Sequence, residues 1–457
     1  MSAARAISPL DGRYAERCAP LRAYFSEAAL AQARVQVEVA HALALDETGL
    51  FGQLDEGERG RLMAATTDFD EADFERVKAI EATTRHDVKA IEYHLRDQTA
   101  LRAPNRIHFG LTSEDVNNLA YSTRFAAFVR EQQLPALDAL LLRLAGLAEG
   151  LAALPFPART HGQPATPTTA GKELAVYASR LLRVRRALVD HRFYGKLNGA
   201  TGTYAALLIA APTVDWRSYE RRLVSGLGLV PNPATTQIED HDAWARWFHE
   251  SRLLSSILVD LCRDVWLYIS QGWIVQATRP GEVGSSTMPH KVNPIRFENA
   301  EGNLELSAAL LSFLAEKLTR SRMQRDLSDS TVTRNVGVAF GHLILAIDEI
   351  GKGLDAVAFD GAACLAAIEA TPALLAEPIQ TVMRLHHTED PYGALRDLTR
   401  GQSISAEDLS RFVQAQTLPA EDKARLAALR PGAYLGAAAE IALEVAASVR
   451  AAIGGAP

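Results

Sequence analysis

Cysteine is scarce in this chain of 457 residues: Cys18, Cys262 and Cys364 lie far apart and belong to no CxxC pair. A disulfide framework and a thiolate zinc site are thereby excluded, which leaves the cysteines as small buried hydrophobes. No apolar run is both long and free of charge. The longest, Ile257 to Val275, is broken by Asp260, Arg263 and Asp264, residues that the hydrocarbon interior of a membrane penalises heavily. From Met1 the chain passes into Ser8-Pro9-Leu10-Asp11-Gly12 without the apolar segment of a secretory signal, so a soluble cytoplasmic protein is expected. Alternating runs of valine, isoleucine and aromatics are few, which argues against an extensive sheet. Gly226-Leu227-Gly228 lacks the third glycine and the preceding strand of a dinucleotide fold. Neither a GxxxxGK phosphate loop nor HExxH occurs, and no cofactor or metal is expected. The net charge of -7 excludes general affinity for nucleic acid, because a phosphate backbone needs a net basic face. A local basic cluster holding one phosphate remains compatible with it.

What the chain does have is apolar bulk, 48% of its residues, with a helical period. At about 150 residues per domain, its length suggests roughly three domains. Leu137, Leu140, Leu141, Leu144, Leu147 and Leu151 recur at spacings of three and four, and Leu304, Leu311, Leu314 and Leu318 form a similar row; each is one face of a helix. The expectation is an all-α protein in three parts: an N-terminal helical domain at 1–101, a central bundle of the longest helices at 102–354 and a C-terminal helical domain at 355–457. Long helices with broad apolar faces cannot cover them alone, which points to a bundle completed by other subunits. One stretch, 278–294, carries Pro280, Pro289 and Pro294 with Gly281 and Gly284 and cannot be helical. Connections of that length in a compact domain are usually functional or disordered.

Within that stretch lies Gly284-Ser285-Ser286-Thr287-Met288-Pro289-His290-Lys291-Val292-Asn293-Pro294. A lysine and an asparagine two positions apart supply a cation and a neutral donor for an oxyanion, and a glycine-rich loop exposes backbone amides to it. The segment resembles the signature of the fumarase/aspartase superfamily, which eliminates fumarate from succinyl compounds. The resemblance implies that Ser285, six residues before Lys291, is the general base, with Lys291 and Asn293 on the substrate carboxylate. A serine hydroxyl is a poor base at neutral pH, so the role requires a loop that closes and excludes water.

Arg159-Thr160-His161-Gly162-Gln163-Pro164-Ala165-Thr166-Pro167 reads as a fixed, non-helical turn ahead of a helix. It is similar to the motif of the adenylosuccinate lyase family that carries the general acid. The likeness implies that His161 protonates the departing nitrogen and that Gln163 contacts substrate. It also implies that Glu298, seven residues after Lys291, orients and charges the histidine, with Asn299 beside it on the substrate. Thr112-Ser113-Glu114-Asp115 is a capping-box pattern at a helix start, and free amides with two hydroxyls there also suit an anion. The resemblance places substrate contacts at Thr112 and Ser113. Thr83-Thr84-Arg85-His86-Asp87-Val88-Lys89 has the form found in bacterial members and implies contacts from Arg85, His86 and Asp87. Arg85 stands where those members carry asparagine.

A nucleotide needs a phosphate clamp, for which the arginine fork is suited. Arg13 and Tyr14 in Asp11-Gly12-Arg13-Tyr14 are candidates, as are Arg325, Ser330 and Arg334 in the stretch 321–335 and Gln237 in Thr235-Thr236-Gln237. All match family segments. The resemblance, bacterial in type, runs from Asp11 to Gly401. It implies a fumarase/aspartase-like fold whose middle domain gives five long helices to a twenty-helix core in a homotetramer, with active sites shared between three subunits. The implied reaction releases fumarate from adenylosuccinate, giving AMP, and from SAICAR, giving AICAR, without cofactor, metal, nucleic acid or membrane. Argininosuccinate lyase is the rival enzyme, but its loop usually reads Gln-Lys-Lys after Met-Pro, where this chain has His290-Lys291-Val292. An inert helical assembly, as in structural lens proteins of this superfamily, is opposed by His161, Ser285, Lys291 and Asn293.

Overall fold

The leucine rows lie on buried helix faces. In a computed structural model, which describes residues 5–277, 288, 290–399 and 404–454, Leu137, Leu140, Leu141 and Leu144 are buried, as are Leu304, Leu311, Leu314 and Leu318. Helix accounts for 69% of the described residues. Among the described residues, sheet is confined to three two-stranded pieces, so the all-α expectation holds. The chain divides into two compact units: Met1–Ala136, Val184–Ser256 and Gly302–Ala346 form the first, and Leu137–Arg183, Ile257–Glu301 and Ile347–Pro457 the second. Every division falls inside a long helix: Leu134–Gly150, Ala170–Asp190, Asp242–Ser270, Ile295–Leu318 or Val336–Asp355.

In the first unit, helices Glu27–Ala44, Glu56–Thr67, Glu71–Thr84 and Asp87–Thr99 close around Val35, Leu62, Ile91 and Leu95. Asp55 with Glu58 and Asp70 with Asp73 form capping boxes that start two of them, meeting amide donors that a helix leaves unpaired. An aromatic stack holds the longer helices: the Trp247 and Phe340 rings lie 4.2 Å apart and nearly parallel, and Phe125 meets Trp244 edge-on at 5.0 Å. Such pairs contribute about 0.5–1.5 kcal/mol each beyond the area they bury. Pro135 cannot donate to the helical ladder and its ring would strike the carbonyl of residue 131. A π turn, Val129–Gln133, opens the ladder just before it. Gln133, buried in that turn, accepts from Trp247 Nε1 at 2.8 Å and donates to Ser251 Oγ at 2.9 Å.

His41 is fully buried in this unit. Its Nε2 donates to the Phe109 carbonyl at 2.9 Å and its Nδ1 accepts from the Tyr219 hydroxyl at 2.9 Å, a tautomer inferred from these partners. Burial pushes the imidazole down from 6.5 to about 4. The unfolded chain therefore binds a proton here that the folded chain refuses, and stability falls as pH drops from 6.5 toward 4, by about 3 kcal/mol at the limit. Urea midpoints measured from pH 7 to pH 4.5 are expected to fall, and less steeply in His41→Gln. An equal slope in the two proteins would assign the effect to other groups.

In the second unit, Pro155–Thr160 and Gln163–Thr169 pair as an antiparallel hairpin. Ile274–Gln276 pairs with Val357–Phe359. Phe156, Trp273 and Cys364 form a small core behind the hairpin, and Leu375, Ile379, Met383 and Leu409 pack the C-terminal helices. Cys262 and Cys364 are buried as expected, while Cys18, in the first unit, is only half-buried.

Candidate active site

In the first unit a cleft of ≈ 340 Å³ is lined by segments that are distant in sequence. It gathers Arg85, His86, Asp87, Ser113, Arg325, Ser330 and Arg334, seven of the residues singled out from the sequence, and adds Arg34, Glu114, Asn117 and Tyr121. Four arginines, Arg34, Arg85, Arg325 and Arg334, face four carboxylates, Glu81, Asp87, Glu114 and Asp329. Formal charge therefore cancels in the wall, and what the cleft offers an anion depends on which donors the ion pairs leave unused.

The pairs form a chain. Arg34 Nη2 donates to Asp87 Oδ2 at 2.7 Å and its Nε to Asn117 Oδ1 at 2.9 Å. Asn117 Nδ2 donates to Glu114 Oε1 at 2.6 Å, and the same oxygen takes Arg325 Nη2 at 2.9 Å. Arg325 Nη1 reaches Gln237 Oε1 at 3.3 Å, and Gln237 Nε2 donates to the Ala200 carbonyl at 3.1 Å. Arg334 is held more loosely: Nη1 donates to the Ser330 carbonyl at 2.9 Å and Nη2 lies 3.6 Å from Asp87. With 44% of its side chain exposed against 15% for Arg325, Arg334 is the arginine freer to reorient onto an anion. Burial raises the Asp87 carboxyl, but the charge and hydrogen bond of Arg34, helped by Arg334, outweigh it and hold the group below its ordinary range. Burial pushes Tyr121 up to about 12, so it serves the cleft as a donor rather than a base.

Local structure fixes the lining. Asp115 Oδ2 accepts from Thr112 N at 2.9 Å, the reciprocal half of the expected capping box, and the Ser113–Phe128 helix follows. Asp115 is fully buried, and its Oδ1 takes Lys196 Nζ at 2.7 Å and Asn198 N at 3.1 Å, which ties the helix start to the 196–199 segment. His86 caps the Asp87–Thr99 helix: its Nδ1 accepts from Lys89 N at 3.1 Å, while Nε2 lies 3.5 Å from Ser113 Oγ. Arg13 and Tyr14 lie outside this cleft. Neighbouring residues Asp11, Cys18 and Arg22 line a second pocket of ≈ 270 Å³ that also reaches Arg334.

Arg85 ends the Glu71–Thr84 helix at φ 55, ψ 28. In that left-handed conformation asparagine is better tolerated than arginine. Arg85→Asn is expected to raise the thermal midpoint by about 1–2 °C while leaving KM within about twofold. A KM raised tenfold would make Arg85 a contact instead.

The remaining predicted residues belong to the second unit. His161 (φ 54) and Gly162 (φ 75) are the central pair of the hairpin, with Thr160 paired to Gln163. This is a type I′ turn, whose twist suits a tight hairpin. It leaves His161 and Gln163 exposed at the tip. Arg159 braces the turn, donating to the Gly162 carbonyl at 2.9 Å and lying over the Trp273 ring. The Ile295–Leu318 helix begins directly after Pro294, and Glu298 in its first turn accepts from Trp266 Nε1 at 3.0 Å. Among the described residues no hydrogen bond or ion pair joins His161 to Glu298. Lys291 is exposed and Asn293 and Asn299 are half-buried. Ser285 lies outside the described residues.

Sequence reasoning missed Arg34, Glu114, Asn117 and Tyr121. Glu114 sits inside the Thr112–Asp115 motif already singled out and Asn117 two residues beyond it, and Arg34 is a buried arginine flanked by Ala33 and Val35, a placement rare without a partner.

The chain is similar to known proteins along nearly its whole length. Residues 12–305 match a family described as lyase, and residues 321–435 match the adenylosuccinate lyase C-terminal family. The chain is 45% identical over 450 residues to adenylosuccinate lyase from Escherichia coli (strain K12), covering 96% of this chain and 98% of that one. Identity to adenylosuccinate lyase from Haemophilus influenzae is 42% over 449 residues, with coverage of 96% and 98%. Among solved structures, a fumarate lyase from Mesorhizobium sp. BNC1 superposes with a TM-score of 0.75 at 20% identity, covering 94% of this chain and 97% of that one. The 3-carboxy-cis,cis-muconate lactonizing enzyme of Pseudomonas putida gives 0.74 at 23%, with the same coverage.

Proposed function

Since the chain belongs to the adenylosuccinate lyase family of the fumarase/aspartase superfamily, we propose that the cleft around Asp87, Arg325 and Arg334 binds the nucleotide and that His161 and Ser285 carry out the elimination. The observation that carries the reading is the convergence of five motif residues, Asp87, Ser113, Arg325, Ser330 and Arg334, on one cleft where Arg325 and Arg334 are held by hydrogen-bonded partners. A nucleotide phosphate displaces the long contact between Arg334 and Asp87, with Ser330, Arg13 and Tyr14 as its other partners.

Ser285, deprotonated once the loop excludes water, takes the proton from the carbon beside a succinyl carboxylate. Charge develops on that carboxylate, where Lys291 and Asn293 stabilise it. The carbon–nitrogen bond then breaks, its electrons pass to nitrogen, and His161 supplies the proton that nitrogen needs. Adenylosuccinate gives fumarate and AMP, and SAICAR gives fumarate and AICAR. Thr112, Ser113 and Gln163 hold the succinyl end, and Asn299, Gln237 and His86 complete the substrate contacts.

The reading places these groups in one site within a homotetramer, with Glu298 of one subunit turned to His161 of another. Its support is the apolar side chains that the long helices leave uncovered: Leu253 and Leu267 on Asp242–Ser270 and Leu306 and Phe313 on Ile295–Leu318 are each about half exposed, at 47–55%. The three-domain division at residues 101 and 354 and residence in the cytoplasm belong to the same reading. A spectrophotometric assay with adenylosuccinate and argininosuccinate tests it. Fumarate is expected from the first alone; release from argininosuccinate, or from neither, would end the proposal.

A further inference from the structure

We propose that Glu114, backed by Asn117, is a positioning residue for the nucleotide site, fixing the Arg325 guanidinium before the ligand arrives; the inference rests on the reading of Arg325 as a nucleotide contact. A carboxylate in the wall of an anion-binding cleft opposes its ligand by Coulomb's law. Glu114 is nevertheless there, with 5% of its surface exposed and little solvent to screen it. Its contacts supply the reason. One oxygen, Oε1, takes Arg325 Nη2 at 2.9 Å and Asn117 Nδ2 at 2.6 Å, and Asn117 Oδ1 takes Arg34 Nε at 2.9 Å. Through Asn117, then, Glu114 joins two of the four cleft arginines into one array. An unanchored arginine loses rotamer freedom when it closes on a phosphate, whereas one already held by an ion pair and a hydrogen bond has lost that freedom on folding. Arg325 forms an ion pair with Glu114 and donates one hydrogen bond, from Nη1 to Gln237, so the clamp holds the guanidinium without exhausting its five N–H donors.

The two roles open to Glu114 predict opposite signs. If it acts only as a negative charge, its removal tightens anion binding; if it positions Arg325, its removal weakens binding. Calorimetric titration of the assembled enzyme with AMP, together with kcat and KM for adenylosuccinate, reads the difference. Glu114→Ala is expected to raise the Kd for AMP and the KM by about tenfold, or about 1.4 kcal/mol, with kcat reduced less than about threefold. Asn117→Leu changes no charge and shifts both constants in the same direction. The double variant binds no more weakly than Glu114→Ala, because both changes break one array. An unchanged or lower Kd in either single variant overturns the proposal, and Asn117→Leu decides alone if Glu114→Ala does not assemble. Arg325→Lys separates this inference from the reading beneath it. A Kd that Arg325→Lys leaves unaltered removes Arg325 from the nucleotide site. A Kd that it raises while Glu114→Ala does not removes only the positioning role.

Discussion

Replacing His161 by asparagine is expected to lower kcat for adenylosuccinate by about 10²- to 10⁴-fold, the usual contribution of a proton donated in the transition state, with KM changed little. Asparagine is chosen over alanine because of the backbone. His161 sits at φ 54 in a type I′ turn, a conformation that asparagine adopts readily and alanine does not. Alanine would mix strain at the hairpin tip with loss of the imidazole. With asparagine the Arg159 bond to the Gly162 carbonyl is free to persist, so an unchanged thermal midpoint beside a collapsed kcat isolates the chemistry. The exposed tip means that the ring is held in place by the turn rather than by packing, and removing it leaves no cavity. A His161→Asn enzyme with near-normal kcat would transfer the acid role to another group and leave the hairpin as scaffold.

The helical architecture could be read from the sequence because its signal is periodic and long: the rows through Leu137–Leu144 and Leu304–Leu318 are buried as their spacing requires. The cap at Thr112 and Asp115 was also legible, since its two partners stand only three residues apart along the chain. The 155–169 hairpin was seen only as a turn. Pro155, Pro157, Pro164 and Pro167 obscure its strands. A two-stranded ribbon has only edge strands, where the missing donors do no harm. At Arg85 the motif suggested a ligand contact, but the position has a backbone requirement of its own, as its φ shows. The network of Arg34, Asn117, Glu114 and Arg325 joins positions 83 residues apart and more, and no local pattern announces such a pairing. Motif residues thus mark where a cleft lies, while the partners that aim them become visible only when distant helices are brought together.

Mixing two inactive variants is expected to restore activity that neither possesses. Ser285→Ala should bind AMP normally yet turn over adenylosuccinate at a rate close to background, since without the base the proton beside the carboxylate has no acceptor. His161→Asn fails at the other proton. If the site is assembled from different subunits, as proposed, a hybrid tetramer made by unfolding and refolding the two together contains some sites that draw an intact Ser285 from one chain and an intact His161 from another. Those sites are whole, so fumarate release per milligram must exceed that of both parents. Within one chain Glu298 is engaged by Trp266 at 3.0 Å rather than by His161, and His161 stands exposed at its hairpin tip. Both features fit groups that meet their partners across an interface. Were one chain to supply both residues to a site, every hybrid site would lack one of them, and the mixture would stay as inactive as its components however long it was refolded.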